Sequence, residues 1–238
     1  MANSGINKMD FYSKYPKLLV AVDSIIFGFN ENDRELKLLL LKRNFEPEKG
    51  KWSLMGGFLD PEESLDEAAQ RIVSQLTGLD DVYMEQLSAF GDVNRDAGGR
   101  IVSVAYFSLI KINEYDSKLV KEHGASWIRL SELPRLIFDH NEMVEKALRK
   151  LRIRARTQPI GFELLPEKFT IPQLQRLYEA IYQIPFDKRN FRRKLLSMEL
   201  LEKLDEKEKI TSKKGAFYYQ FNQIKYKELL QKGFNFEL

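Results

Sequence analysis

The chain has 238 residues, 43% of them hydrophobic and 31% charged, a balance that suits a soluble globular protein of one large domain or two modest ones. With no cysteine it can hold neither a disulfide nor a thiolate metal site. Its net charge of +3 is unevenly spread: from Thr157 onward 15 Lys and Arg face 11 Asp and Glu, while the rest balances to within one charge.

The amino terminus, MANSGINKMDFYSKYP, has no signal-peptide core, and the longest aliphatic run, Leu38 to Leu41, is far too short to span a membrane. The cytoplasm is the expected compartment, with no membrane partner. Leu18–Phe29 and Leu36–Arg43 read as buried strands joined through the polar turn 30–34. Asp23 stands among apolar residues, where it either pairs with a cation or faces a pocket. Trp52–Phe58 reads as a further strand, in which Gly56 and Gly57 let the backbone turn tightly.

Gly57 to Leu79, GFLDPEESLDEAAQRIVSQLTGL, reads as a loop and an amphipathic helix. Ser64 and Glu67 have the spacing of a capping box. Leu65, Ala68, Ala69, Ile72, Val73 and Leu76 form one apolar stripe, and Gly78 supplies the stop. Phe90–Arg100 is a glycine-bearing loop and Ile101–Ile110 a strand. Trp127–Leu133 and the helix Phe138–Arg152 close this part of the chain. His123 and His140 lack metal-ligand spacing and read as structural or surface residues.

Composition shifts after Arg156, which divides the chain into domains at 1–156 and 157–238. Thr170–Gln183 reads as a capped helix with Pro172 in its first turn and Ile171, Leu174, Leu177, Tyr178 and Ile181 facing inward. A second helix is expected over Asp187–Leu204, capped by Asp187 and anchored by Phe191, Leu195 and Met198. Its first turns carry Lys188, Arg189, Asn190, Arg192, Arg193 and Lys194. Lys209–Phe221 reads as a hairpin with Lys213 and Lys214 at its tip, and Asn222–Lys232 as a terminal helix. Two helices across a tight turn and a basic hairpin describe a winged helix-turn-helix. Positive charge at a helix start opposes the helix dipole, so an anionic partner would compensate it. Arg can pair with guanine and Asn with adenine, while lysines meet phosphates. Double-stranded operator DNA is the expected partner, with Lys213 and Lys214 on flanking phosphates.

The 57–79 stretch resembles the Nudix signature, G-x5-E-x7-R-E-U-x-E-E-x-G-U, where U is bulky and aliphatic. Gly57, Glu63, Arg71, Val73, Gly78 and Leu79 fit; Ile72, Gln75 and Leu76 replace three carboxylates. Nudix enzymes hydrolyse phosphoanhydrides with divalent metal, which wants oxygen ligands. Ile72 and Leu76 offer no oxygen, and Gln75 only a neutral one. The resemblance therefore implies a scaffold without its chemistry: no catalytic residue, no metal site, no cofactor, and a Glu63–Arg71 pair kept for structure.

Over roughly residues 16–235 the chain resembles the Nudix-related transcriptional regulators. That implies an α+β protein, a Nudix-like α/β/α sandwich followed by an α/β winged helix-turn-helix domain. It further implies a homodimer, repressor or activator, controlled by a small metabolite. Within the family the chain looks closest to the arabinose-responsive branch, which makes L-arabinose the expected effector and ADP-ribose the alternative. The expected lining is Asp23, Lys42, Arg43, Trp52, Asp92 and Arg95. Carboxylates and amines would meet sugar hydroxyls and the indole its C–H face, whereas Lys42, Arg43 and Arg95 would suit a pyrophosphate. Two other classes stay open: a residual Nudix hydrolase, and a DNA-binding adaptor whose Nudix-like domain only dimerises.

Overall fold

The computed structural model describes residues 12–31, 35–112, 114–209, 215–234 and 236. Its sheet is built on two long apolar strands, β1 (Leu19–Phe29) and β6 (Ile101–Lys111). They pair in parallel along their whole length, from Leu19 opposite Ile101 to Phe29 opposite Lys111. A parallel pair needs cover on both faces, which explains why both strands read as near-continuous apolar runs. The far edge of β6 takes β5 (Glu85–Phe90). The other edge of β1 is shared between β4 (Met55–Phe58), with Ala21 opposite Phe58, and β2 (Lys37–Lys42), with Phe27 opposite Leu38. β2 in turn pairs with β3 (Trp52–Ser53) and β7 (Ala125–Arg129). The single strand expected over 52–58 is thus two strands that pair with different neighbours. The break falls at Leu54, whose N–H donates to His140 Nδ1 at 3.2 Å instead of to a strand.

Alternation along β1 sorts two apolar layers. Val22 and Ile26, with Val104 and Tyr106 of β6, pack under α1 (Leu65–Thr77), and Val120 of α2 (Glu114–Glu122) joins this layer. Ile25, Phe27 and Phe29, with Ala105 and Phe107, pack under Met143, Ala147 and Leu151 of α3 (His140–Thr157). This is the α/β/α sandwich.

α1 starts where its sequence says it should. Ser64 accepts the Glu67 N–H at 3.3 Å, and the Glu67 carboxylate accepts the Ser64 N–H at 2.8 Å. Gly78 closes the helix in the left-handed region at φ 74°, which glycine occupies without strain.

Beyond α3 lie β8 (Phe169–Thr170), α4 (Ile171–Tyr182), α5 (Lys188–Ser197), β9 (Leu201–Glu208), β10 (Ala216–Phe221) and α6 (Gln223–Gln231). The three strands form an antiparallel sheet in the order β8-β10-β9. The helix expected to reach Leu204 ends at Ser197. Glu199 turns the chain at φ 55°, Leu200 drops into the core, and Leu201 pairs with Phe221. The hairpin therefore starts at Leu201 rather than Lys209; its expected tip residues Lys213 and Lys214 lie outside the described residues.

One apolar cluster runs through both halves. Leu151 and Ala155 of α3 share it with Leu177, Tyr178 and Ile181 of α4. At this junction Arg152 Nε donates to the Ile181 carbonyl at 3.0 Å, and the Tyr182 hydroxyl donates to the Arg152 carbonyl at 3.0 Å. Among the described residues no helix is long and apolar enough to cross a membrane.

Candidate ligand cavity and nucleic-acid interface

The loop before α1 folds back on the helix through one carboxylate. Glu63 accepts Arg71 Nε at 2.8 Å and Nη2 at 2.6 Å, and also the Asp60 N–H at 2.9 Å. Arg71 Nη2 reaches the Phe58 carbonyl at 3.0 Å. The guanidinium, and after it the Asp60 amide, hold the Glu63 carboxyl down at about 2.

The three departures from the signature have separate fates. Ile72 is buried beneath Gly57, where an added Cβ would lie 3.0 Å from its Cγ1 and Cδ1. Leu76 supplies apolar lining to the cavity, and Gln75 accepts Arg71 Nη1 at 3.3 Å. The remaining acids are engaged. Glu67 caps the helix, and Asp66 accepts the Tyr106 hydroxyl at 2.5 Å. Among the described residues no group of three or more His, Asp and Glu is placed to hold a metal ion.

A cavity of about 330 Å³ opens beside β1, β2 and β4. It gathers four of the six expected residues, Asp23, Lys42, Arg43 and Arg95. Trp52 lines a neighbouring groove with Glu48 and Arg135, its ring facing Lys42 Nζ at 5.3 Å. Asp92 lies in an open groove with Glu142 and Lys146, its carboxylate accepting the Asn94 N–H at 2.9 Å. Neither belongs to the cavity wall: the break at Leu54 separates Trp52 from β4, and Asp92 is spent on its own turn.

The polar back of the cavity is a closed network. Asp23 accepts the Ser103 hydroxyl at 2.6 Å and lies 3.7 Å from Arg95 Nη2. Arg95 is gripped by both Asp139 oxygens at 2.7 and 2.8 Å, with its side chain 3% exposed. Its charge is thereby answered from within the protein. His140 Nδ1 accepts the Leu54 N–H, so the ring proton of the neutral form sits on Nε2, 3.7 Å from Asp23. Burial, outweighing Asp23 and Asp139, pushes the imidazole pKa down and keeps it neutral.

His140 therefore forms part of the cavity wall while also serving the structure. No spacing in the sequence marks it, because its partner is 86 residues away. His123 also borders the cavity, its Nδ1 2.9 Å from the Leu119 carbonyl.

The front of the cavity differs in character. Arg43 lies over the Phe45 ring at 3.8 Å and within 5.5 Å of Phe138. Phe45 and Phe58 are half-exposed at the rim. Arg43 thus stands beside two aromatic faces, with Lys42 and a third ring, Phe58, in the same cavity wall, an arrangement that suits an anionic group carrying a planar ring. The three phenylalanines were not among the expected lining; the signal for Phe45 and Phe58 was their closeness to Lys42–Arg43 and to the paired glycines.

In the second half, a small network sets α4 against α5. Glu179 accepts the Phe186 N–H at 2.9 Å, and Gln175 Nε2 donates to Glu179 at 2.8 Å and to the Phe186 carbonyl at 3.1 Å. Asp187 caps α5 by accepting the Asn190 N–H at 2.8 Å. Lys188, Arg189, Asn190, Arg192, Arg193 and Lys194 are all exposed on α5. Among the described residues the ion pairs within this half are Lys168–Glu206 and Lys225–Glu199, neither of them on α5. The helix therefore presents uncompensated positive charge. Asn190 accepts Arg193 Nη2 at 3.0 Å, and Arg192 Nη2 donates to the Tyr219 hydroxyl at 3.2 Å.

A Nudix sandwich with an altered metal-binding helix, joined to a winged helix-turn-helix, defines the class. Residues 18–150 match the NUDIX domain family and residues 161–221 the NrtR DNA-binding winged helix domain, so the chain belongs to the NrtR-like Nudix family. It is 33% identical over 213 residues to the ADPR responsive transcriptional repressor NtrR of Acinetobacter baylyi, covering 88% of this chain and 84% of that one. Shewanella oneidensis NrtR complexed with a 27mer DNA superposes with a TM-score of 0.69 at 29% identity, over 85% of this chain and 93% of that one. The NUDIX domain of the same protein complexed with ADP ribose gives 0.50 at 30% identity, over 61% and 99%. An ADP-ribose pyrophosphatase of Methanocaldococcus jannaschii is 32% identical over 147 residues, 60% of this chain and 82% of that one. These relatives give the arabinose-responsive branch no support, and that expectation is set aside.

Proposed function

We propose that this chain is a transcriptional repressor whose Nudix domain, residues 1–156, senses ADP-ribose, and whose winged helix, residues 157–238, then releases operator DNA. The observation that carries this is the front of the cavity. Lys42 and Arg43 can face a pyrophosphate while Phe45, Phe58 and Phe138 offer their rings to an adenine. Asp23, behind them, can accept from ribose hydroxyls. Arg95, the third cation expected for a pyrophosphate, instead braces the wall against Asp139. L-Arabinose fits less well, because the indole expected to stack on it lies outside the cavity. The relatives named for ADP-ribose support the same reading.

Catalytic silence follows from Ile72, Gln75 and Leu76, which remove the anionic oxygens a metal would need. The chain works as a homodimer in the cytoplasm on a near-palindromic operator, since two-fold symmetry doubles a small footprint. Its half-sites lie near multiples of about 10 bp.

Calorimetry with ADP-ribose and with L-arabinose tests the sensor, read alongside the fluorescence anisotropy of an operator selected by the chain. ADP-ribose is expected to bind and to weaken operator affinity, with arabinose silent at millimolar concentration. No heat from ADP-ribose, or none of its effect on the operator, overturns the assignment. Magnesium-dependent cleavage of ADP-ribose at ordinary enzyme rates, lost in Glu63→Gln, overturns the silence.

A further inference from the structure

The strand face of the wing holds two cations in an arrangement that the fold alone does not require. β9 and β10 pair regularly at both ends, but their register breaks between Phe217 and Tyr219. Phe217 stands opposite Lys207, and Tyr219 opposite Lys203, so two steps along β10 span four along β9. A bulge of this kind leaves extra residues unpaired and bends the strand. On a regular strand Lys203 and Lys207 would stand about 13 Å apart. Here both ammonium groups converge on one ring, Lys203 Nζ at 3.7 Å and Lys207 Nζ at 4.3 Å from the Phe217 centroid.

We propose that Lys203 and Lys207, seated on Phe217 and continued by Arg192 of α5, form a phosphodiester clamp, by which the wing grips the DNA backbone through its strand face. The inference rests on the DNA-binding reading above. Two like charges on one ring repel each other, and an anionic oxygen between them relieves that repulsion. Both lysines are exposed, and among the described residues neither forms an ion pair. Asp205, in the bulge between them, pairs with neither. Elsewhere in this half, Lys168 reaches Glu206 at 2.7 Å and Lys225 reaches Glu199 at 2.8 Å. Glu202 and Glu206 of β9 are tied to Asn222 and Lys168, away from the ring.

The platform also prepares the cations for a ligand. An aromatic face attracts an ammonium without consuming its N–H donors on an acceptor oxygen, so they stay available to phosphate. Holding each side chain in place beforehand lowers the ordering cost of binding. Tyr219 makes the surface continuous with the helix: it stands opposite Lys203, and its hydroxyl accepts from Arg192 Nη2.

The test is the salt dependence of binding to two duplexes, a selected operator and a random sequence, read by fluorescence anisotropy. Each phosphate contact contributes about 0.9 to the slope of log K against log[salt]. The double variant Lys203→Gln/Lys207→Gln is expected to weaken both duplexes by a similar factor and to flatten the slope by about two. Phe217→Leu keeps both charges and is expected to weaken binding with the slope retained. Lys168→Gln, on a cation already paired, is expected to leave the slope unchanged, and unaltered melting temperatures verify the folds. A double variant with the parent slope overturns the clamp while leaving the DNA-binding reading intact. A parent chain that binds neither duplex overturns both.

Discussion

Glu63 stabilises the loop before α1 through the charge it carries. Its carboxyl sits at about 2 in the folded protein, against 4.5 for the free group, because Arg71 and the Asp60 amide favour the anion. Unfolding therefore takes up a proton between these values. The stabilisation is complete above pH 4.5, fades as pH falls toward 2, and is gone below it. His140 acts in the same direction in a higher window. Its buried ring resists protonation, so stability also declines as pH falls below 6.5, where the unfolded imidazole gains its proton. Glu63→Gln separates the two. It is expected to lower the melting temperature by a few degrees at pH 7, and its gap from the parent should close between pH 4.5 and 2. Thermal unfolding of both proteins across pH checks this; a gap that ignores pH would mean that shape, not charge, is what the variant disturbs.

At the scale of elements, β4 is pinned by its glycines. A Cβ on Gly56 would lie 2.2 Å from Asp23 Oδ1, so Gly56→Ala must displace the carboxylate behind the cavity. A cost of about 1–3 kcal/mol is expected, as for other overpacked sites, together with weaker effector binding by calorimetry. What could be read from the sequence divides along the same line of reach. The starts of α1, α4 and α5 were legible because Ser64–Glu67, Thr170–Gln173 and Asp187–Asn190 are bonds between residues three apart. The end of α5 was not. Residues 198–204 carry no glycine or proline, and what halts the helix is pairing with β10 across the wing. A distant partner overrides local propensity there. The cavity follows the same rule. Lys42 and Arg43 announce themselves at the end of an apolar strand. His140 does not, because its role depends on a strand break at Leu54, and the same break sets Trp52 in the neighbouring groove.

Over the whole molecule, one helix touches both functions. α3 has 18 residues and so runs about 27 Å. At its start, Asp139 holds Arg95 and His140 backs the cavity. Near its end, Arg152 donates to the carbonyl of Ile181 and to Gln183 at 2.5 Å, gripping the last turn of α4, and Lys150 and Arg154 bind Glu85 of β5. A ligand that shifts the first turn of a stiff helix therefore shifts the seat of the DNA-binding unit. For release, the effector must prefer one placement of that unit over the other, and the preference is a coupling free energy shared by both sites. Such couplings are typically about 1–3 kcal/mol, or 5- to 150-fold in affinity, and under the proposed function operator would weaken ADP-ribose by the same factor that ADP-ribose weakens operator. Arg152→Met removes the donors while keeping much of the apolar stem. Because Arg152 lies neither in the cavity wall nor on α5, each ligand is expected to bind alone within a few-fold of the parent. The coupling factor should fall toward one. Measuring all four sides of the cycle, ADP-ribose by calorimetry with and without operator and operator by anisotropy with and without ADP-ribose, decides the matter. Coupling of parental size in Arg152→Met would mean that the signal leaves the cavity by another route. Loss of affinity for either ligand alone would mean that Arg152 holds the fold of one unit instead of linking the two.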